Sequence, residues 1–381
     1  MKLITSLLAG LCCWSGSIAL QAEERAASDT ALTETLKALC TAHGVPALAA
    51  AAYMDGKLVQ LGTAGVRKVG SETPVTVDDQ WHIGSLTKSM TASLAAMLVE
   101  DGRLRWDSTV GELLHDSPKI WPDWKGVSLE QLLQHRGGAP AEPPKELWEA
   151  AWKQLGTPSE QRAAFVTGLL AKPPDCPPGK IFAYSNQGYT IAGAMIEKAT
   201  GKRWEETIRE RLFKPLGMTS AGFGAPGTAV DVVQPWGHKG SRAPLEAQEP
   251  GPGADNPQVI APAGTVHCSI ADLARYAGWH ATSGRGFKPA LLGPGSFARL
   301  HQPAQGESFP YAMGWIVESR PWAGGKALTH SGTNTLWFAT IWIAPSRGAA
   351  FVAATNCASN RAFGACDAAI SHMVKRALPA P

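Results

Sequence analysis

Ser85-Leu86-Thr87-Lys88 pairs a hydroxyl with an amine three positions on, where a buried-looking segment (Trp81 to Gly84) gives way to a helical pattern. On a helix, residues i and i+3 share a face, so Lys88 presents its amine one turn from the Ser85 hydroxyl. A serine hydroxyl is a poor nucleophile until a neighbouring base takes its proton. A lysine buried at a helix start can be that base, because desolvation lowers its pKa. The same helix start offers backbone N–H groups to a developing oxyanion. A single Ser-x-x-Lys is weak evidence, since a capping serine followed by a surface lysine reads identically.

Two further stretches add to it. Tyr184-Ser185-Asn186 lies at another loop-to-helix junction, after Pro177-Pro178-Gly179, and is the sole Tyr-x-Asn in the chain. A phenol held near an ammonium can shuttle protons, and an asparagine amide can hold a substrate amide or steady the lysine. His330-Ser331-Gly332-Thr333 falls in the strand-rich end. His-x-Gly by itself selects little, because it also occurs at His82, His135 and His238. Context favours His330: Gly332 would let a ligand approach the backbone closely, and the Thr333 N–H would then be a second oxyanion donor.

Several elements must hold these three stretches together. The pattern predicts a helix over 29–42 with Ser28 at its N-cap, and strands 46–54 and 57–63 joined at Asp55-Gly56. A helix from about Ser85 to Gly102 carries Leu94, Met97 and Leu98 on one face. Ser128 and Gln131 form a capping box for a short helix ending near Gly137. Helices follow from Asn186 to Gly201, over 203–213 ending before Pro215, and over 270–282. Segment 225–262 reads as a long ordered loop near the site. Strands at 311–318, 325–331, 335–343 and 348–355 precede a closing helix over 365–377. The order implies an α/β (α+β) fold: an antiparallel sheet flanked by N- and C-terminal helices, with an inserted all-helical lobe. One domain is expected over 28–381, its α/β lobe from about 28–84 and 285–381 and its helical lobe from about 85–284.

Composition narrows the class. The 381 residues are 44% hydrophobic and 18% charged, with a formal net charge of +3 and no run of like charges. Nothing there points to nucleic acid or an anionic membrane surface. Met1-Lys2, the apolar stretch Leu3–Leu20 and Ala22 read as a secretory signal peptide over residues 1–22. Export to a periplasmic or extracellular space follows as an expectation, with no stable membrane insertion after cleavage. Five cysteines lie beyond that segment (Cys40, Cys176, Cys268, Cys357 and Cys366), and Cys366 could bridge to Cys357 or Cys40. The 14 tryptophans are most simply packing residues, with Trp236 and Trp337 the two that could instead line the cleft.

Ser-x-x-Lys, Tyr-x-Asn and a later His-x-Gly, in this order, resemble the serine β-lactamase-related family. That family includes class C β-lactamases, D-alanyl-D-alanine carboxypeptidases, D-aminopeptidases and family VIII carboxylesterases. Further matching stretches are Ile83 to Ser89, Gly102-Arg103-Leu104 with Asp107, and Leu132-Leu133-Gln134-His135. Pro215-Leu216-Gly217-Met218, and Pro262-Ala263-Gly264 followed by Ala271-Asp272-Leu273-Ala274, match as well, so the likeness spans roughly residues 30 to 375. It implies a site between the two lobes, working on a small-molecule or peptide substrate with neither metal nor organic cofactor. By the resemblance Ser85 is acylated, Lys88 activates it and Tyr184 acts as general base and acid. Asn186, His330, Ser331, Gly332 and Thr333 bind substrate, and the N–H groups of Ser85 and Thr333 form the oxyanion hole.

Two departures matter. His330 stands where class C β-lactamases carry a lysine, and an imidazole with an ordinary pKa of about 6.5 grips a substrate carboxylate less firmly. Turnover of carboxylate-bearing substrates is therefore expected to fall as pH rises past neutrality, and D-residue peptides or small esters rank above β-lactams as substrates. Gln134 to Gly138 also replaces the commoner His-Thr-Ser-Gly wording. The competing reading is a non-catalytic module that binds peptidoglycan fragments or partners; intact Ser85, Lys88 and Tyr184 weigh against it. Oligomeric state is not legible.

Overall fold

A computed structural model describes residues 28–240, 244–305 and 309–378; the signal peptide expected over 1–22 lies outside the described residues. The chain opens with α1 (Thr30–His43). Its cap is Asp29 rather than Ser28, the carboxylate accepting from the Leu32 N–H at 3.1 Å at the positive end of the helix. Strands β1 (Ala47–Met54) and β2 (Lys57–Gly65) turn at Asp55-Gly56, where φ values of 46° and 83° match the twist of a tight hairpin. β3 (Gln80–His82) then leads through a 3₁₀ turn, Gly84–Leu86, into α2 (Thr87–Glu100).

The one-faced burial expected for α2 is not what forms. It is buried on every side from Thr87 to Leu98 and runs through the core. Its hydroxyls read as polar in the sequence but are satisfied internally: Ser89 donates to the Leu86 carbonyl at 2.8 Å, Ser93 to Ser89 at 2.9 Å, and Thr91 to Pro262 at 2.7 Å. Bonded that way, small hydroxyl side chains carry little burial penalty.

Helices α3 (Val110–Leu113), α4 (Leu129–Leu133), α5 (Lys145–Trp152), α6 (Pro158–Leu170) and α7 (Asn186–Thr200) follow. The Ser128/Gln131 capping box forms, but α4 stops at Leu133, because His135 turns the chain with a φ of 58°. Beyond α8 (Trp204–Ile208) the helix does not break before Pro215; a π turn over Arg209–Phe213 carries it into α9 (Lys214–Leu216). The wider turn accommodates a ring that would crowd the carbonyl four residues earlier.

Segment 225–262 is more structured than a loop. After β4 (Gly222–Phe223) it holds a hairpin of β5 (Gly237–Lys239) and β6 (Glu246–Gln248). Then come α10 (Ala261–Gly264), β7 (Val266–Ser269), α11 (Ile270–Ala281) and α12 (Pro294–Leu300). The last quarter contains β8 (Ile316–Arg320), β9 (Gly325–Thr333), β10 (Phe338–Ala344), β11 (Ala349–Thr355) and α13 (Ala362–Ala377). The strand expected from 311 starts only at Ile316.

Six strands form one antiparallel sheet in the order β2-β1-β11-β10-β9-β8. Alternation along β1 divides two cores: Leu48, Ala50 and Ala52 pack with α1 and α13, while Ala47, Ala49, Ala51 and Tyr53 face the larger core that includes α11. The fold class read from the sequence is therefore the one observed, with terminal helices flanking an antiparallel sheet. The inserted part is not wholly helical, however. β3, β7 and β4 make a small sheet beside it, and α11 packs on the main sheet although it falls within residues 85–284.

Cys40, Cys176, Cys268, Cys357 and Cys366 are all free thiols, so neither bridge considered for Cys366 is formed. Trp337 is fully buried against the His82 ring, and Trp236 is buried beneath the Lys68 amine, so both are packing residues. Among the described residues no helix is long and apolar enough to cross a membrane.

Candidate active site

The nucleophile turn reaches the main sheet because β9 is longer than its outer neighbour. β8 pairs with β9 only as far as Thr329, which leaves the edge of residues 330–333 without a strand. The turn at Ile83–Leu86 packs against that edge. A Cβ placed on Gly332 would lie 2.1 Å from the Ile83 carbonyl oxygen and 2.6 Å from the Ser85 nitrogen. One on Gly84, where φ is +51°, would lie 2.3 Å from the Thr333 nitrogen. Only two glycines permit backbones this close. The N–H-bearing backbones of Ser85 and Thr333 are thus neighbours.

Lys88, at the first turn of α2, is fully buried. Its Nζ lies 2.9 Å from Ser85 Oγ, 2.7 Å from Asn186 Oδ1 and 2.8 Å from the Ala263 carbonyl oxygen. Desolvation holds its pKa well below the ordinary lysine range. In the neutral form an amine has two N–H groups and one lone pair. The two carbonyl oxygens can only accept, so they take both N–H groups, and the lone pair is left for the Ser85 proton.

Tyr184 brings its ring to 4.9 Å from Lys88 Nζ. It is 38% exposed, so one side of it opens to the surface, yet the packing around the phenol still pushes it up to about 12, the Ser85 hydroxyl pulling the other way. At neutral pH it is a protonated donor. Ser185, the N-cap of α7, fixes the junction by accepting from the Gly188 N–H at 3.2 Å and donating to Pro140 at 2.5 Å.

The structure brings Ser85, Lys88, Tyr184, Asn186 and the Gly332-Thr333 backbone together. It treats the other two differently. Ser331 donates across the strands to Thr340 Oγ1 at 3.0 Å, so its hydroxyl is already engaged. His330 is buried, with Nδ1 2.6 Å from the Ser331 carbonyl and Nε2 3.2 Å from the Tyr311 hydroxyl. Burial first, and the Lys88 amine second, lower its pKa to about 4. The expected loss of a histidine charge near neutrality is therefore corrected: the ring is already neutral there, with both nitrogens occupied.

Four residues around the site were not singled out for it by the sequence. His135 holds the chain on both sides of Tyr184, its carbonyl accepting from the Ala183 N–H at 2.8 Å and its Nδ1 from the Ser185 N–H at 3.1 Å. Its ring lies 4.2 Å from that of Tyr184. Tyr189 and Tyr311 pack their rings against His135, Tyr189 also lying 5.7 Å from the amine, and Ala263 supplies one of the amine's acceptors. Of the four, His135, Tyr189 and Ala263 fell within stretches that match the family pattern, and His135 also in a His-x-Gly triplet that was set aside; Tyr311 carried no sequence signal.

Comparison with known proteins gives the family and the fold. The family model described as Beta-lactamase matches residues 29–372. Penicillin-binding protein 4 of Amycolatopsis lactamdurans is 29% identical over 333 residues, 85% of this chain and 84% of that protein. Lovastatin esterase of Penicillium rubens is 27% identical over 196 residues, 46% of this chain and 48% of its own length. The fold is shared with the D-stereospecific amidohydrolase from Streptomyces sp., at a TM-score of 0.68 and 23% identity, covering 92% of this chain and 98% of that one. A match running from Asp29 to His372, over a chain whose Ser-x-x-Lys and Tyr-x-Asn stretches meet at Lys88 Nζ, means that this protein belongs to the beta-lactamase family of serine hydrolases.

Proposed function

We propose that this chain hydrolyses small carboxylic esters or D-residue peptides through an acyl-enzyme on Ser85, with β-lactams as minor substrates. The observation that carries this is the triple contact of Lys88 Nζ, which leaves a desolvated lone pair for Ser85 and no other use for it. In acylation Ser85 Oγ attacks the carbonyl carbon while its proton passes to Lys88. The oxyanion accepts from the N–H groups of Ser85 and Thr333. Collapse expels the leaving group, which takes a proton from Tyr184, and Lys88 returns its proton to the phenolate. Water then attacks the acyl carbon, gives up a proton through the same pair, and Ser85 leaves with one.

Uncharged substrates are favoured within this class, because neutral His330 has no free nitrogen to hold a carboxylate. The names of the similar proteins, a penicillin-binding protein, a lovastatin esterase and a D-stereospecific amidohydrolase, lie within the same chemistry. Export by a leader ending near Ala22 is part of this proposal.

The test is a panel of p-nitrophenyl esters, nitrocefin and D-alanyl peptides on the full chain, beside labelling by a fluorophosphonate. Wild type is expected to label once, at Ser85, and to turn over a neutral ester fastest; Ser85→Ala is expected to do neither. A wild type that neither labels nor hydrolyses leaves the binding-module reading in its place.

A further inference from the structure

The two backbones that present the oxyanion donors converge on one carboxylate that the acyl-transfer chemistry does not use. Asp255 lies in the segment between β6 and α10 and is nearly buried. Its Oδ1 is 2.8 Å from His82 Nε2, a close polar contact rather than an aligned hydrogen bond. The same oxygen accepts from Asn334 Nδ2 at 3.1 Å and from the Asn256 N–H at 2.7 Å.

Each partner leads to one donor. His82 is fully buried at the end of β3, and its Nδ1 accepts from the Gly84 N–H at 3.1 Å, one residue before Ser85. Because Nδ1 accepts, the ring proton sits on Nε2, facing the carboxylate. Asn334 is also buried and follows Thr333 directly. Its Oδ1 accepts from the N–H groups of Leu336 and Trp337, both at 3.2 Å, which fixes the turn leaving β9. One oxygen of Asp255 therefore connects the turn before Ser85 with the turn after Thr333.

We propose that Asp255 is a positioning residue for the oxyanion hole, setting the spacing of the Ser85 and Thr333 N–H groups through His82 and Asn334. The proposal rests on the acyl-transfer reading above. Donors help a tetrahedral oxyanion only when held where its charge develops, and a shift of about 1 Å can cost 100-fold in rate. Ground-state binding depends on that spacing far less. Loss of the link is therefore expected in kcat and in affinity for tetrahedral analogues, not in KM.

The test compares Asp255→Ala, Asp255→Asn and Asn334→Ala in the full chain, by kcat and KM on a p-nitrophenyl ester, fluorophosphonate labelling rate, inhibition by a boronic acid, and melting temperature. Asp255→Ala is expected to lower kcat, labelling rate and boronate affinity together by about 10- to 100-fold with KM within about threefold. Asp255→Asn keeps an oxygen that can accept from Asn334 and Asn256 and stand beside His82 Nε2, and is expected to recover most of the loss. Asn334→Ala, which cuts the Thr333 arm alone, is expected to lose less than Asp255→Ala; it carries the test where Asp255→Ala does not fold. An Asp255→Ala protein within twofold of wild type, or a loss confined to KM, overturns the positioning role alone. A wild type inert to both ester and fluorophosphonate overturns the hydrolase reading and this role with it.

Discussion

The amine of Lys88 and the amide oxygen of Asn186 stand 98 positions apart in the chain and 2.7 Å apart in space. That contact joins the first turn of α2 to the first turn of α7. It also fixes what the amine can do. With Asn186 and Ala263 as obligate acceptors, the remaining valence of Lys88 points at Ser85, so the proton acceptor is set by hydrogen-bond counting.

Replacement of Lys88 separates charge from basicity. Lys88→Met is expected to lower the acylation rate by about 10²- to 10⁴-fold, the usual contribution of a positioned base. Lys88→Arg is expected to rescue nothing, because a guanidinium keeps its proton at any accessible pH. Single-turnover release of p-nitrophenol measures both; an arginine variant near wild-type rate would remove the lysine from its role as base.

The pH profile follows from two directions of shift. Activity is low where Lys88 is protonated and rises as the amine loses its proton, at a midpoint well below the ordinary 10.5. No alkaline fall is expected before the Tyr184 phenol ionises near 12. His330, at about 4, contributes no inflection between pH 6 and 8, so neutral and carboxylate-bearing esters should share one profile there. A carboxylate-specific decline across that window in kcat/KM would show His330 to be charged.

Acid stability depends on the buried histidines. His330 and His301 are pushed down to about 4 and about 3 by burial, whereas an unfolded chain takes up protons near 6.5. Between those values the unfolded state binds more protons, so stability is fully present above about pH 6.5 and is lost as pH falls towards 4. The His330 shift is worth on the order of 3 kcal/mol and the His301 shift on the order of 5 kcal/mol. Urea midpoints at pH 7.5, 6 and 5 are expected to fall in that order; equal midpoints would mean these rings are not held neutral.

Gly332→Ala probes the seam between β9 and the nucleophile turn. A methyl group there meets the Ile83 carbonyl and the Ser85 nitrogen, so the two backbones must separate. A fall of about 10²- to 10³-fold in kcat is expected, comparable to losing one oxyanion donor. Fluorophosphonate labelling should slow in proportion while far-UV circular dichroism is unchanged. Undiminished labelling would mean that the oxyanion is bound elsewhere.

Much of this site is legible in the sequence because its reactive groups sit at element starts, where local rules are strong. Ser85 and Lys88 share one turn and Asn186 opens a helix, so local spacing places them at element starts, and the order of the family motifs singles them out. The hairpin at Asp55-Gly56 and the alternation along β1 follow equally from local geometry. Tertiary structure decided the rest, because burial and long-range pairing are not local properties. The central place of α2 depends on carbonyls that accept its hydroxyls, the neutral state of His330 on burial and the nearby Lys88 amine, and the link through Asp255 on three segments meeting at one oxygen. A sequence names the groups able to donate, accept or ionise; only the folded chain determines how far each lies from water and which partner it meets.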